Sequence, residues 1–208
     1  MESNEKTEIL EWYALSAPHR KEMEAQRLLQ RNDIECFIPM CTSIVTIGRR
    51  KERKCIPAVS NLVFARSTRE RLQEVKTGIP YLQYKVNTEE GRNVPIIVPD
   101  RDMDRFIRVC RLRNEKVVFV SPDEINIAKG TPVKIIGGEL NGLEATFVKV
   151  KGKRSKRVVI ILKGVTALTT EVEPQYLELI DEKEQRRKAA EQASKPKAGK
   201  AVQNRLRK

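Results

Sequence analysis

The side chains that could carry acid–base or nucleophilic chemistry are scarce in this sequence. Among 208 residues there is one histidine, His19, which follows Pro18 at the predicted start of a helix. A Ser-His-Asp or Cys-His arrangement needs a histidine beside its nucleophile, and a multi-histidine metal site needs several. We therefore interpret His19 as a solvated residue near a helix cap, and we do not predict catalysis.

Four cysteines are the other candidates for metal binding or redox chemistry. Cys36, Cys41, Cys55 and Cys110 show no C-x-x-C spacing, and this scatter is typical of free, half-buried thiols in a cytosolic chain. A zinc site built from all four cysteines is the alternative. The glycine-rich phosphate-binding patterns G-x-x-x-x-G-K-[ST] and G-x-G-x-x-G are missing from the sequence. We expect no metal, no cofactor and no enzymatic activity.

Basic side chains dominate the remaining chemistry. The 41 Lys and Arg residues outnumber the 28 Asp and Glu residues, which gives a net charge of +13. Basic turns occupy residues 48–54 and 151–157, and residues 181–208 hold 10 basic and 4 acidic residues, hence +6. Such clusters either contact phosphates of nucleic acid without reading sequence or form solvated hairpin tips. The nucleic-acid-binding candidates of the first turn are Arg49, Arg50, Lys51, Arg53 and Lys54.

Hydrophobic periodicity predicts the elements that position these side chains in the first half of the chain. The predicted strands cover residues 11–16, 34–45, 61–65, 81–86 and 95–99. One helix is expected over residues 18–31, and a second over 68–76 follows the capping-box spacing of Ser67 and Glu70. A third begins at Asp100 and carries Met103, Phe106, Ile107 and Cys110 at the i, i+3, i+4, i+7 spacing. This order predicts an α/β domain over residues 1–110.

The second half of the chain changes character. Residues 111–127 are charged and then extended, which predicts a linker, and residues 128–180 contain five short strands separated by glycine turns. That pattern indicates a small β-barrel. Residues 181–208 are too polar for a core and are expected to be a frayed helix followed by disorder. No apolar run reaches the roughly 20 residues of a membrane span, and the polar N-terminus lacks a secretory core, so a cytoplasmic protein is expected.

Several segments in this order resemble the NusG family of transcription factors. Residues 12–15, 24–29 and 34–39 resemble the opening of the NusG N-terminal domain, and residues 130–144 resemble a KOW motif. The resemblance implies an α+β fold in which an N-terminal α/β domain with a central, mostly antiparallel sheet is linked to a small five-stranded KOW β-barrel. The residues assigned to the KOW motif are Gly130, Val133, Gly138, Gly142 and Ala145.

Within the family, the sequence is most similar to specialised paralogues of the UpxY type (Bacteroidetes) and the RfaH type. Residues 95–107 and 118–124 resemble UpxY-type antiterminators, and Ala145 replaces the core KOW glycine, as in RfaH-like proteins. The aromatic-rich segment of the family reads PAVSNLVF here at residues 57–64. In the family this strand lines an apolar pocket for the clamp helices of the largest RNA polymerase subunit. The implied polymerase-binding residues are Val59, Leu62, Phe64 and Ile97; ordinary core positions are the alternative for each.

The resemblance implies a monomeric elongation or antitermination factor that suppresses pausing or termination, on long polysaccharide operons if the UpxY similarity holds. Its expected partners are the polymerase clamp helices, the DNA or RNA of the elongation complex, and a ribosomal protein or termination factor bound by the barrel. One alternative is a general NusG-type cofactor of termination. A second is a ribosome-associated RNA-binding protein that uses its KOW barrel and basic tail, and an enzyme is the most distant reading.

Overall fold

The computed structural model describes residues 9–48, 50–89, 91–112, 117–120, 130–149, 156–172 and 174–180. Arg49, most of the predicted linker, residues 151–155 of the second basic turn and the predicted disordered tail lie outside the described residues. Within the described part, no helix has the length and apolar content that crossing a membrane would require.

The N-terminal half is built on one antiparallel sheet. Its central strand, β1, spans Glu11–Ser16. The four middle residues of β1 are all buried, because helices cover both faces of the sheet. The other strands of this sheet are β2 Glu35–Phe37, β5 Leu62–Ser67, β6 Gln83–Tyr84 and β9 Ile97–Val98. Their order is β2-β5-β1-β6, with β9 also paired to β1. The predicted antiparallel α/β arrangement is confirmed here.

Three helices cover this sheet: α1 Glu22–Arg31, α2 Arg69–Thr77 and α3 Asp100–Arg111. Tyr13 and Leu15 of β1 point to the face with α1 and α2, whereas Trp12 and Ala14 point to the face with α3. Successive strand residues point to opposite faces, so β1 alone contributes to two separate cores.

The beginnings of two helices differ from the sequence expectation. The helix α1 begins at Glu22 and not directly after Pro18, because His19 and Arg20 have φ angles of 60° and 58°, outside the right-handed helical region. The cap of α2 is Thr68, whose hydroxyl accepts a hydrogen bond from the Arg71 amide at 3.2 Å, and not Ser67.

Two hairpins stand apart from this sheet. The first joins β3 Met40–Ile47 to β4 Arg50–Pro57 through eight register pairs, and the second joins β7 Val86–Glu89 to β8 Arg92–Pro95. Each forms its own two-stranded sheet. The predicted strand over residues 34–45 is therefore two elements, because Ile38 and Pro39 separate β2 from β3.

The C-terminal half forms one antiparallel sheet of six strands in the order β10-β14-β13-β12-β11-β15. These strands are β10 Val118–Val120, β11 Thr131–Ile135, β12 Glu144–Lys149, β13 Lys156–Leu162, β14 Thr166–Thr170 and β15 Leu177–Leu179. All five predicted strands are present, and β10 adds a strand from the predicted linker. The end strands β10 and β15 do not pair within the described residues, so the closed barrel that the sequence predicted is not seen.

The two halves share one apolar core. The helix α3 packs against β1 on one side and against β13 on the other, so it lies between the two sheets. Buried side chains of the N-terminal half, such as Leu62 and Phe106, belong to the same cluster as Val133, Ile135 and Ile160 of the C-terminal half. We refer to this set as the shared cluster.

The shared cluster predicts which apolar residues stabilise the fold. Phe64 is fully buried in the cluster, so Phe64→Ala should lower the free energy of unfolding by about 3–5 kcal/mol. Ile97 lies 44% exposed on the same sheet, so Ile97→Ala should cost less than about 1 kcal/mol. Urea unfolding of both variants measures the difference, and similar small losses would show that Phe64 is not a core residue.

Candidate functional site

The candidate protein-binding surface is built around a set of aromatic rings on the α3 face of the N-terminal sheet. Phe106 of α3 makes edge-to-face contacts with Phe64, Phe37 and Phe119, at centroid distances of 5.8, 6.4 and 6.2 Å. Such geometry adds favourable quadrupole interactions to the burial of apolar area. Because Phe119 belongs to β10, the rings connect the N-terminal sheet to the C-terminal sheet through one helix.

Three of the four predicted polymerase-binding residues meet on this face. Leu62 and Phe64 are fully buried in the shared cluster, and Val59, in the loop after β4, packs against it while half-buried. Ile97 does not join them. It pairs with Tyr13, whose side chain belongs to the opposite face of the sheet, while its neighbour Val98 lies in the shared cluster. Alternation along β9 therefore places Val98, which the sequence analysis did not select, beside Leu62 and Phe64.

An ionic rim borders the shared cluster where α3 meets the C-terminal sheet. Arg101 and Arg105 both donate to the Glu144 carboxylate, the latter over 2.8 Å from Nη2 to Oε2. Arg108 Nη2 donates to the backbone carbonyl of Asn141 at 3.0 Å. Burial lowers the pKa of Arg105, and the neighbouring Arg101 lowers it further, while Glu144 and Asp102 oppose the shift. Two guanidinium groups thus share one carboxylate of the other half, and Arg105 also lies 3.6 Å from the carboxylate of Asp102 on its own helix.

A second contact joins the halves at the β13–β14 turn. Gly164 has a φ angle of 72°, and a Cβ atom added there would lie 2.6 Å from Asn87 Oδ1 in the β7–β8 hairpin. The positive φ angle favours glycine at this position. The β13–β14 turn therefore lies close to the β7–β8 hairpin, at a place separate from the ionic rim.

The residues that the sequence resemblance assigned to a KOW motif lie in turns and strand pairs at the start of the C-terminal sheet. Val133 is buried directly opposite Ala145, and Gly138 and Gly142 have positive φ angles of 63° and 79°. The Gly142 amide donates to the carbonyl of Ile135 at 2.7 Å. Gly130 precedes β11 and is half-buried. Ala145 is thus accommodated within a strand.

Sequence reasoning did not single out Gly137. A Cβ atom at this residue would lie 2.6 Å from a ring carbon of Tyr176, and its φ angle is 141°. Tyr176 is almost 40 residues away in sequence, so no local pattern reveals this contact. The only local signal is the Gly137-Gly138 pair, which indicates a turn.

The candidate nucleic-acid surface lies on the β3–β4 hairpin. Arg50, Lys51, Arg53 and Lys54 are all exposed on β4, whereas Arg49 lies outside the described residues. The carboxylate of Glu52 lies 3.8 Å from Lys54 Nζ on the same strand. These four cations on β4 could contact the phosphates of a nucleic acid, which is a binding role and not a catalytic one.

The second basic turn is different, because its last residue is buried. Arg157 donates from Nε to the Thr169 hydroxyl at 3.0 Å and also donates to the Glu171 carboxylate. Its inclusion in a surface-exposed basic turn was therefore wrong, since β13 turns this side chain toward β14.

The cysteines lie on four different elements. Cys36 is on β2, Cys41 on β3, Cys55 on β4 and Cys110 on α3, and all four are free thiols. Burial raises the pKa of Cys110 to about 12 and that of Cys36 to about 11, which keeps both thiols protonated. No group of three or more metal-ligating side chains occurs in the described part of the chain.

Comparison with known proteins relates the N-terminal half to one family. Residues 10–107 match the family described as "Transcription termination factor nusG", a stretch that runs from just before β1 into α3. A solved structure titled "Domain interaction in Thermotoga maritima NusG" is similar, at 18% sequence identity and a TM-score of 0.42. The similarity covers 83% of this chain and 98% of that chain. No curated protein matches the sequence.

The ionic rim predicts how a charge reversal changes the contact between the halves. Glu144→Lys replaces two attractions with two repulsions, which should favour separation by on the order of 1–2 kcal/mol, or about 5- to 30-fold. Cys110 in the shared cluster reports separation, because a buried thiol reacts only when exposed. We expect faster labelling of Cys110 by a thiol reagent, resolved by peptide mass spectrometry.

The matched control is Glu178→Lys, which makes the same charge change on the exposed edge strand β15. It should leave the labelling rate of Cys110 unchanged. Equal rates in both variants and in the unaltered chain would show that the ionic rim does not hold the halves together.

Proposed function

We propose that this chain, whose residues 10–107 match the NusG family, is a transcription factor that binds elongating RNA polymerase. The family match is the observation that carries the proposal, because it spans the N-terminal sheet and reaches into α3, the elements that carry Phe37, Phe64 and Phe106. A protein of this kind acts by binding its partners, and it makes or breaks no covalent bond. The single histidine of the chain offers little acid–base chemistry. Its place of action is the cytoplasm, where the transcription machinery works, and it acts as a monomer.

The proposed partner surface is the α3 face of the N-terminal sheet. Val59, Leu62 and Phe64 provide apolar contact for the clamp helices of the largest polymerase subunit, in the manner of an amphipathic helix entering a groove. Leu62 and Phe64 are buried in the shared cluster, an arrangement that we call closed. The clamp helices can reach these two residues only if the C-terminal half or α3 moves. The polymerase then competes with an internal contact, and its apparent affinity falls by the fraction of open molecules.

The C-terminal sheet is proposed to recruit a second partner, either a ribosomal protein or a termination factor. Its support is a group of exposed apolar residues at the sheet edge, since Ile136, Tyr176 and Leu179 are all solvent-exposed near the β11–β15 pair. The Ile136 amide donates to the Tyr176 carbonyl, which brings these residues together. Tethering gives this partner a high effective concentration at the polymerase.

The proposed effect is suppression of pausing or termination on long polysaccharide operons. Its support is the resemblance of residues 95–107 and 118–124 to UpxY-type antiterminators, together with Ala145. A general NusG-type cofactor of termination is the second candidate, favoured by the description of the matching family. Transcription of a template with a terminator separates them, because read-through rises for an antiterminator and falls for a termination cofactor.

The polymerase-binding face can be tested with two variants on opposite sides of the sheet. Val59→Lys places a charge at the rim of the shared cluster and should weaken binding to a transcription elongation complex by about tenfold or more. Ile97→Lys makes an equivalent change on the other face and should leave affinity within about twofold. Surface plasmon resonance measures both, and circular dichroism confirms that each variant folds.

The reverse pattern, with loss of binding only in Ile97→Lys, would contradict the assignment of the α3 face. Absence of polymerase binding by the unaltered chain and by Glu144→Lys would contradict the proposed function itself. Glu144→Lys is measured as well because it favours separation of the halves. It should therefore bind polymerase more tightly than the unaltered chain if the closed arrangement covers the surface.

A further inference from the structure

The β3–β4 hairpin presents two faces to its surroundings. Its strands pair only with each other in the described residues, so no sheet partner occupies either edge. Eight register pairs, from Met40–Pro57 to Ile47–Arg50, give a ribbon about 27 Å long at about 3.3 Å per residue. Directly opposed residues share a face, and successive residues alternate, so the register assigns every side chain to one face.

One face, which we call the Lys51 face, carries two cations and no carboxylate. Its members are Met40, Thr42, Ile44, Thr46, Lys51, Arg53, Cys55 and Pro57. The other, the Arg50 face, carries two cations and one carboxylate, hence a net charge of +1. Its charged members are Arg50, Glu52 and Lys54. The carboxylate of Glu52 lies 3.8 Å from Lys54 Nζ on this face.

The two faces also differ in exposure. On β3, Thr42, Ile44 and Thr46 of the Lys51 face are exposed, whereas Cys41, Ser43 and Val45 of the Arg50 face are half-buried. Ile44 is 63% exposed and lies directly opposite Arg53. The Lys51 face therefore combines the higher net charge, hydroxyl groups and one exposed apolar side chain.

This combination matches the chemistry of a DNA groove better than that of an isolated phosphate strand. The major groove of B-DNA, about 12 Å wide, admits a two-stranded β-ribbon. Phosphates border the groove, and thymine methyl groups offer apolar contacts at its floor. Ile44, directly opposite Arg53, supplies an exposed apolar contact that a surface serving only to neutralise phosphates does not need.

We propose that the Lys51 face of the hairpin lies in the major groove of duplex DNA. Lys51 and Arg53 contact phosphates, and Ile44 contacts base edges, with thymine methyl groups preferred. This deepens the proposed function, because the polymerase would bring the hairpin to the DNA, but the contact itself requires no polymerase. The Arg50 face is directed away from the groove.

The test compares two double variants of the full chain that remove the same charge from opposite faces. Lys51→Ala with Arg53→Ala alters the Lys51 face, and Arg50→Ala with Lys54→Ala alters the other. Binding to a fluorescently labelled 20-base-pair duplex is measured by anisotropy at several salt concentrations. The slope of log K against log salt should fall by about 1.8 in the first variant, because each phosphate contact contributes about 0.9. The second should change it by less than half as much.

Residues 181–208 add the same background to all variants, so only differences are interpreted. Equal slope changes in the two double variants would overturn the assignment of the Lys51 face. Tighter binding to the single strand of the same sequence than to the duplex would overturn the groove geometry. Neither result depends on polymerase, so failure here is distinguishable from failure of the Val59 experiment.

The role of Ile44 has its own variant. Ile44→Thr keeps a β-branched side chain suited to a strand, so the hairpin should persist. We expect severalfold weaker duplex binding with an unchanged salt slope, and a smaller preference for A·T-rich over G·C-rich duplexes. An unaltered affinity and an unaltered preference would remove Ile44 from the interface and overturn the base-edge contact.

Discussion

The arrangement of this protein depends on the burial of one helix face between two sheets. Phe106 contacts Phe64 on the N-terminal sheet and Phe119 on the first strand of the C-terminal sheet. Apolar area that neither sheet could cover alone is removed from water by α3, and this is the dominant favourable term in such packing. The shared cluster provides most of the stability of this contact, and the ion pairs of Glu144 help to fix the orientation of α3 against the C-terminal sheet. The same burial that stabilises the chain also covers the surface proposed for the polymerase.

Much of the N-terminal half could be predicted from periodicity. The spacing of Met103, Phe106, Ile107 and Cys110 predicted the apolar face of α3; Ile107 is half-buried and the other three are buried. The start of α1 was wrong, because a proline at a first turn is permitted but not required, and His19 has a positive φ angle. The face of Ile97 was not predictable, because a two-residue strand has no alternation of its own and its orientation comes from its pairing with β1.

The C-terminal half shows a different limit. Val133 and Ile160 lie on strands that the sequence predicted, but a strand pattern does not specify whether a residue faces its own half of the chain or the other one. Both belong to the shared cluster. Arg157 lies in a basic run, and its burial arises from Thr169 and Glu171, which are distant in sequence. The burial of these residues is determined by contacts with residues elsewhere in the chain, and the local sequence does not reveal those contacts.

The two proposed binding surfaces are separate in this structure. Apolar side chains lie on the α3 face, and cations lie on a hairpin that belongs to neither large sheet. The most direct test of the polymerase surface is site-specific cross-linking in a transcription elongation complex, with a photoreactive amino acid in place of Val59. The proposal predicts cross-links to the clamp helices of the largest polymerase subunit. Cross-links to ribosomal proteins alone, or to polymerase only from position 97, would contradict it.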